Sequence, residues 1–150
     1  MRFYYGLLVV SFSSVSFGAG VGDFTKDLAA GFCEDKWTKR GELDQKMFNY
    51  CMRQQSDGHD KALSLEAKHS VNGSKPVELF DQVIQFSLEK WAKPSKYQMN
   101  MVAYEMEKQV EGFLDVDYLV SQGKTDAGLV NQCRTKWLPQ WNMVAYCLEN

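Results

Sequence analysis

The four cysteines are the residues whose type and spacing point most directly to chemistry: Cys33, Cys51, Cys133 and Cys147. No two of them form a Cys-x-x-Cys pair, which argues against a structural zinc site and against a thioredoxin-like redox pair. In an exported chain an even number of cysteines indicates disulfide bonds, and four cysteines allow three pairings. The first question is therefore whether the chain is exported.

Residues 1–19 have the layout of a secretory signal peptide. A positive charge at Arg2 precedes a short apolar stretch, and small residues ending at Gly18 and Ala19 follow it. The apolar stretch is shorter than the ~20 residues that a membrane span needs. We therefore expect cleavage after Gly18 or Ala19 and export to a periplasm or outside the cell. We expect no stable membrane insertion of the mature chain.

The cysteines belong to a sequence pattern that occurs three times. Each copy contains a Lys-Trp pair, and the aligned tryptophans are Trp37, Trp91 and Trp137. Four residues before them stand Cys33, Ser87 and Cys133, and the copies end at Cys51, Glu105 and Cys147. The middle copy lacks both cysteines together, which is expected if each bond lies within a copy, as Cys33–Cys51 and Cys133–Cys147. Pairing between copies is the alternative, and it would make the joint loss a coincidence.

Each copy has the spacing of a helical hairpin. A cysteine and a tryptophan four residues apart share one helix face, as do Met47, Tyr50 and Cys51. A helix breaker follows each tryptophan, at Gly41, Pro94 or Pro139, so the chain should turn there. Two copies span 14 residues from tryptophan to copy end and the third spans 10, a difference of about one helical turn.

These patterns predict an all-α fold with about six helices in three repeated hairpins. The first and third hairpins should carry disulfides and the middle one none. We expect a single domain at 20–150, with its copies at about 24–70, 76–120 and 125–150. The length fits one domain, and a formal net charge of −2 implies no broad basic surface for nucleic acid.

The motifs resemble those of small exported bacterial helical domains that include the LprI-type lysozyme inhibitors. The resemblance lies in the stretches "WNMVAYC" and "QMNMVAYE", and in Asp60-Lys61-Ala62-Leu63 after the second cysteine. It covers about 30 residues per copy. It implies exported helical hairpins with paired cysteines and, for function, inhibition of lysozyme. The spacers of 17 and 13 residues between the cysteines are longer than that family's usual one.

No catalytic or metal-binding constellation is apparent in the sequence. We interpret His59 and His69 as solvated helix surface, because neither has patterned acidic or cysteine partners. Asp115 and Asp117 flank Val116, and on a helix two carboxylates at this spacing do not face each other. They are therefore weak candidates for acid–base catalysis and are better assigned to a charged binding surface. We expect no cofactor.

Glu105 and Trp141 are the other two candidate binding residues. Glu105 replaces a half-cystine, where a buried charge needs a partner such as Lys108 or exposure to solvent. It marks the middle copy as the more adaptable hairpin. The repeated tryptophans and tyrosines are expected in the core, whereas Trp141 falls in the turn after Pro139 and is the best candidate for a surface anchor.

Three functions are compatible with these patterns. The first is an exported, non-enzymatic protein-binding module, such as an inhibitor or immunity protein against a cell-wall hydrolase. An acidic chain would complement a basic lysozyme-like partner. The second is a small-molecule or lipid binder with a cavity between hairpins. The third is a hydrolase whose site the sequence does not reveal.

Overall fold

Residues 20–150 are described by the computed structural model, so the predicted signal peptide lies outside the described residues. Within this range the chain forms six helices and four two-residue strands, which confirms the predicted all-α fold. The helices are α1 Lys26–Trp37, α2 Gln45–His69, α3 Phe80–Trp91, α4 Met99–Ser121, α5 Ala127–Trp137 and α6 Trp141–Glu149. They follow one another as three hairpins, α1–α2, α3–α4 and α5–α6.

Two disulfides fasten the first and third hairpins, as predicted. Cys33 is bonded to Cys51 and Cys133 to Cys147, and the paired Cα atoms are 5.8 Å apart in both hairpins. Cys51 lies in the second turn of the long helix α2, whereas Cys147 lies near the end of the short helix α6. The middle hairpin has Ser87 at the first of these positions, and its hydroxyl donates to the carbonyl of Val83 within the same helix.

The connections inside the hairpins differ from the expectation. In the first two hairpins a small antiparallel ribbon joins the helices: β1 Thr38–Lys39 with β2 Glu42–Leu43, and β3 Ala92–Lys93 with β4 Lys96–Tyr97. The third hairpin has only residues 138–140 between its helices. The third copy is therefore four residues shorter because it lacks the ribbon. The prediction that it lacks one helical turn was wrong.

The turn of the first ribbon explains one of the predicted breakers. Arg40 and Gly41 both have positive φ, 54° and 82°, as a two-residue type I′ turn requires. Glycine adopts this region without steric cost. The chain reverses here within two residues, and α2 then begins at the Asp44 cap, whose carboxylate accepts from the Met47 N–H at 3.0 Å.

The second helices of the hairpins form one continuous layer. Helix α4 packs between α2 and α6, while α1, α3 and α5 each pack on the second helix of their own hairpin. Helices α2 and α4 run in the same direction, because Gly58 faces Asn100 and, further along both helices, Lys61 pairs with Glu107. Asn100 is near the start of α4, whereas Gly58 is in the middle of α2. The second hairpin is therefore shifted along the helix axis relative to the first.

A repeated glycine sets the contact between successive hairpins. A Cβ atom on Gly58 would lie 2.6 Å from the carbonyl carbon of Met99, and one on Gly112 would lie 2.6 Å from that of Trp141. Both glycines stand seven residues after the half-cystine position of their copy, at Cys51 or Glu105. The same close backbone approach is thus used twice, which makes the two junctions equivalent.

A buried glutamine accompanies each of these glycines. Gln55 and Gln109 are 2% and 0% exposed and lie three residues before Gly58 and Gly112. The Gln109 carbonyl oxygen accepts from the backbone N–H of Asn142 at 3.2 Å, at the start of α6. The pattern Gln-x-Asp/Glu-Gly thus recurs at both hairpin junctions, although the side-chain carbonyl oxygen of Gln55 forms no corresponding bond within residues 20–150. Our sequence analysis did not identify this pattern.

Among the described residues, no helix combines the length and the apolar composition needed to cross a membrane.

Candidate binding surface

One tyrosine from each hairpin is exposed on the outer side of the α2–α4–α6 layer. Tyr50, Tyr104 and Tyr146 keep 47%, 51% and 61% of their surface accessible. They occupy equivalent positions, each directly before the second half-cystine position of its copy. The prediction that the repeated tyrosines belong to the core was wrong. We call this side of the layer the tyrosine face.

The tryptophans of the Lys-Trp pairs are half-buried against the hairpins. In every copy the lysine ammonium lies over the ring of the tryptophan that follows it. The Nζ-to-centroid distances are 5.6, 5.5 and 5.0 Å for Lys36–Trp37, Lys90–Trp91 and Lys136–Trp137. A cation within about 6 Å of an indole face is attracted by its quadrupole. The repeated lysine therefore has a packing role.

Trp141 is not a surface anchor, and that prediction was wrong. Its side chain is 1% exposed, and its ring packs edge-on against Phe113 with centroids 5.0 Å apart. The indole N–H donates to the carbonyl of Glu78 at 3.0 Å. Trp141 begins α6 at the position that Met99 occupies at the start of α4, and both residues are buried at a hairpin junction.

Glu105 is buried and fully engaged by groups that the sequence did not single out. It is 8% exposed and accepts hydrogen bonds from Lys90 at 2.8 Å, Gln109 at 2.8 Å and Trp91 at 3.4 Å. The predicted local partner, Lys108, instead pairs with Glu111 at 2.7 Å. Glu105 is therefore part of the structure of the middle hairpin, and its side chain is not available for an external partner.

The surroundings of Glu105 favour its charged form. Burial opposes ionisation, but the hydrogen bonds from Lys90, Gln109 and Trp91, together with the positive charge of Lys90, outweigh it, so the pKa is lowered below 4.5. The carboxylate is thus ionised at neutral pH. It links α3 to α4 at the positions where the other hairpins have a disulfide.

Asp115 and Asp117 lie exposed on the C-terminal half of α4, as expected for a binding surface. Neither forms an ion pair within residues 20–150. The apolar side chains of Leu114 and Tyr118 beside them are 54% and 53% exposed. Exposed apolar side chains scattered singly are ordinary on protein surfaces, so these two groups do not by themselves identify an interaction surface.

The negative charge of the protein is concentrated in the middle hairpin. Residues 76–120 contain eight acidic and four basic side chains. In residues 24–70 the two signs are equal in number, eight of each, and in residues 125–150 there are two of each. The central helix of the layer therefore belongs to the one hairpin with a net negative charge.

A cleft of about 600 Å³ opens between the C-terminal half of α2, the segment that follows it and α4. Its floor is apolar and includes Leu65, Val77 and Phe113, while Asp117 lies on its α4 side. Of the four candidate binding residues from the sequence, only Asp117 lines this cleft. Asp115 is close in sequence but lies outside it.

His69 also lines the cleft, and the prediction that both histidines are solvated was wrong. His69 is 5% exposed, and its Nδ1–H donates to the carbonyl of Lys75 at 2.7 Å. His59 is 7% exposed, and its Nε2–H donates to the carbonyl of Gly22 at 2.9 Å. The sequence contained no signal for either bond, because the chain after α2 and the segment before α1 supply the acceptors.

A second, smaller groove of about 360 Å³ runs between α2 and α4 on the tyrosine face. Tyr104, Gln54 and Asn100 line it. The ion pair between Lys61 and Glu107, 2.6 Å long, lies between this groove and the larger cleft. Within residues 20–150, no group of three or more potential metal ligands is placed to hold an ion.

Comparison of the chain with protein-family models, curated proteins and solved structures gives no match.

Proposed function

We propose that the chain is an exported protein-binding module that acts as an inhibitor or immunity protein against a basic cell-wall hydrolase such as a lysozyme. The tyrosine face and the acidic α4 helix form the contact surface. The observation that carries the proposal is the exposure of Tyr50, Tyr104 and Tyr146 at equivalent positions on one rigid layer.

The chemistry of the face supports a protein partner. Tyrosine is enriched in protein interfaces because its ring buries a large area while its hydroxyl still hydrogen-bonds. Three tyrosines on side-by-side helices give a broad contact surface, since packed helices lie 8–10 Å apart. The uncompensated Asp115 and Asp117 would attract a positively charged partner and raise the association rate.

The two disulfides support an oxidising environment and therefore an exported protein. They also fasten α1 to α2 and α5 to α6, which reduces the conformational entropy that these two hairpins can lose on binding. The periplasm or the extracellular space is the proposed location, in agreement with a signal peptide at residues 1–19 and with the LprI-type resemblance.

A cell-wall lysis assay tests this function. Oxidised protein lacking residues 1–19 is titrated into several muramidases at low and moderate salt, and turbidity is followed. We expect stoichiometric inhibition of a basic enzyme that weakens with salt. Failure to inhibit or bind any muramidase at low salt would contradict the proposal.

Variants of the contact surface make the assay specific. Tyr104→Ala, and Asp115→Asn combined with Asp117→Asn, should weaken inhibition, the second chiefly through slower association. Asp81→Asn is the matched control, because this exposed carboxylate lies on α3, outside the layer. Equal loss of inhibition in the control would mean that net charge alone, and not this surface, governs the effect.

Small-molecule binding is the second candidate function. The 600 Å³ cleft favours it, because ligand sites are commonly clefts of about 300–1,000 Å³ with an apolar lining and a few polar groups.

A further inference from the structure

We infer that the cleft between α2 and α4 binds a short peptide-like zwitterion, with an apolar body, a carboxylate at one end and an ammonium group at the other. This inference rests on the second proposed function and does not require the protein partner. It follows from the charges on the two walls of the cleft and from the apolar floor between them.

The first wall is basic. Lys68 and Lys75 line the cleft from the end of α2 and from the segment after it. The backbone N–H of Lys75 donates to the carbonyl of Lys68 at 3.0 Å, so the two residues are held side by side. Neither lysine forms an ion pair with a carboxylate of residues 20–150. Two uncompensated ammonium groups on one wall are complementary to an anionic group.

His69 adds a hydrogen-bonding side chain beside these lysines. Its Nδ1–H is fixed by the carbonyl of Lys75. Its other ring nitrogen, Nε2, has no hydrogen-bond partner among residues 20–150, and the side chain lines the cleft. Because Nδ1 carries the proton of that hydrogen bond, Nε2 offers a lone pair, to which a peptide N–H of a bound ligand would donate.

The opposite wall is acidic but has only one uncompensated charge. Glu107 is paired with Lys61 and Glu111 with Lys108, whereas Asp117 forms no ion pair within the described residues. A ligand with only a negative charge would leave Asp117 without a partner. One with only a positive charge would be repelled by the lysines. A zwitterion satisfies both walls.

The floor determines what lies between the two charges. Leu65, Val77, Val110 and Phe113 are buried or half-buried and line the cleft together. Burying apolar ligand surface against them contributes about 25 cal/mol per Å². A short peptide with aliphatic side chains matches a floor of this kind, and it carries its two charges at opposite ends.

Three forms of one peptide test the ligand class by calorimetric titration into the oxidised protein lacking residues 1–19. The probes are tri-leucine with free ends, its N-acetyl form without the ammonium group, and its C-terminal amide without the carboxylate. We expect the free peptide to bind, and each blocked form to bind about tenfold more weakly because one charge-assisted hydrogen bond is lost.

Protein variants assign each charge to its wall. Asp117→Asn should remove the discrimination against the N-acetyl form, and Lys68→Gln with Lys75→Gln should remove that against the amide. Asp81→Asn, which removes one exposed carboxylate on α3 outside the cleft, should bind all three forms as the unmodified protein does.

Two outcomes would overturn the inference in different ways. Equal binding of the free and blocked peptides would show that the cleft binds apolar molecules without discriminating their charge. Small-molecule binding would then be supported, but the zwitterionic ligand class would be refuted. No binding of any form at millimolar peptide would remove both. Folding of each variant is checked by its far-ultraviolet circular dichroism and by its thermal midpoint.

Discussion

The Lys90 ammonium lies 2.8 Å from the Glu105 carboxylate in the hairpin that, among the three described, has no disulfide. Glu105 occupies the position of Cys51 and Cys147, and Lys90 that of Lys36 and Lys136. Trp91 and Gln109 also donate to this carboxylate. A hydrogen-bonded ion pair between a buried carboxylate and a partly exposed ammonium group therefore joins α3 to α4, where a covalent bond joins the helices of the other two hairpins.

The ion pair should make the stability of the protein depend on pH. Because the pKa of Glu105 is lower in the folded protein than in the unfolded chain, its contribution is fully present above the unfolded pKa and is lost as the pH falls through the folded pKa. Glu105→Gln should lower the free energy of unfolding by about 1–2 kcal/mol at pH 7, less than for a wholly buried pair since Lys90 is partly exposed. Urea denaturation across the acidic range measures the difference, which should vanish at the lowest pH.

Glu111→Gln is the matched control for this measurement. It removes a carboxylate from the same helix, but the pair that it forms with Lys108 is exposed to solvent. Its stability should follow that of the unmodified protein at every pH. If Glu105→Gln and Glu111→Gln behaved alike, the structural role of the Glu105 pair would be refuted.

A third disulfide should form when both positions of the middle hairpin are changed to cysteine. Ser87 and Glu105 are separated by 18 residues, as are Cys33 and Cys51. Closing a loop of this length contributes about 3 kcal/mol in the chain-entropy model, which should offset loss of the ion pair. The variant Ser87→Cys with Glu105→Cys should show no free thiols under denaturing conditions, and its stability should lose the acid-dependent component.

The junction glycines should not tolerate a side chain. Gly58→Ala and Gly112→Ala would each force a methyl group into the backbone of the next hairpin, and we expect a loss of about 1–3 kcal/mol from this overpacking. Gly31→Ala, in the interior of α1, is the control because no atom lies within 4 Å of its Cβ position. It should raise stability by about 0.5–1 kcal/mol through helix propensity. Thermal denaturation shows whether stability falls, as expected for Gly58→Ala and Gly112→Ala, or rises, as expected for Gly31→Ala.

Trp141 should affect stability far more than binding. Trp141→Ala removes a buried indole and its hydrogen bond to Glu78, for an expected cost of about 3–5 kcal/mol. Tyr146→Ala, five residues later on the same helix, removes an exposed ring and should change the free energy of unfolding by less than about 0.5 kcal/mol. An exposed role for Trp141 would give the reverse order in urea denaturation.

The local chemistry of the repeats could be predicted from the sequence because it depends on neighbours along the chain. The joint loss of two cysteines identified the pairings Cys33–Cys51 and Cys133–Cys147, and helical spacing identified three hairpins. The Gln-x-Asp/Glu-Gly pattern at Gly58 and Gly112 was also present in the sequence. It was missed because its meaning depends on the backbone of the next hairpin, at Asn100 for Gly58 and at Asn142 for Gly112, which is distant in the sequence.

The tertiary structure decided which side chains face solvent and which charges meet. Tyr50, Tyr104 and Tyr146 each stand next to the second half-cystine position of their copy in the sequence. Only the stacking of the hairpins determines that this side of the helices is exposed to solvent. Trp141 follows a turn in the sequence, yet the preceding hairpin covers it. Glu105 pairs with Lys90, which is 15 residues away in the chain, and not with the nearer Lys108, because the packing of α3 on α4 brings Lys90 to it. The sequence by itself determined the repeated unit, whereas burial and ion pairing depended on how the units stack.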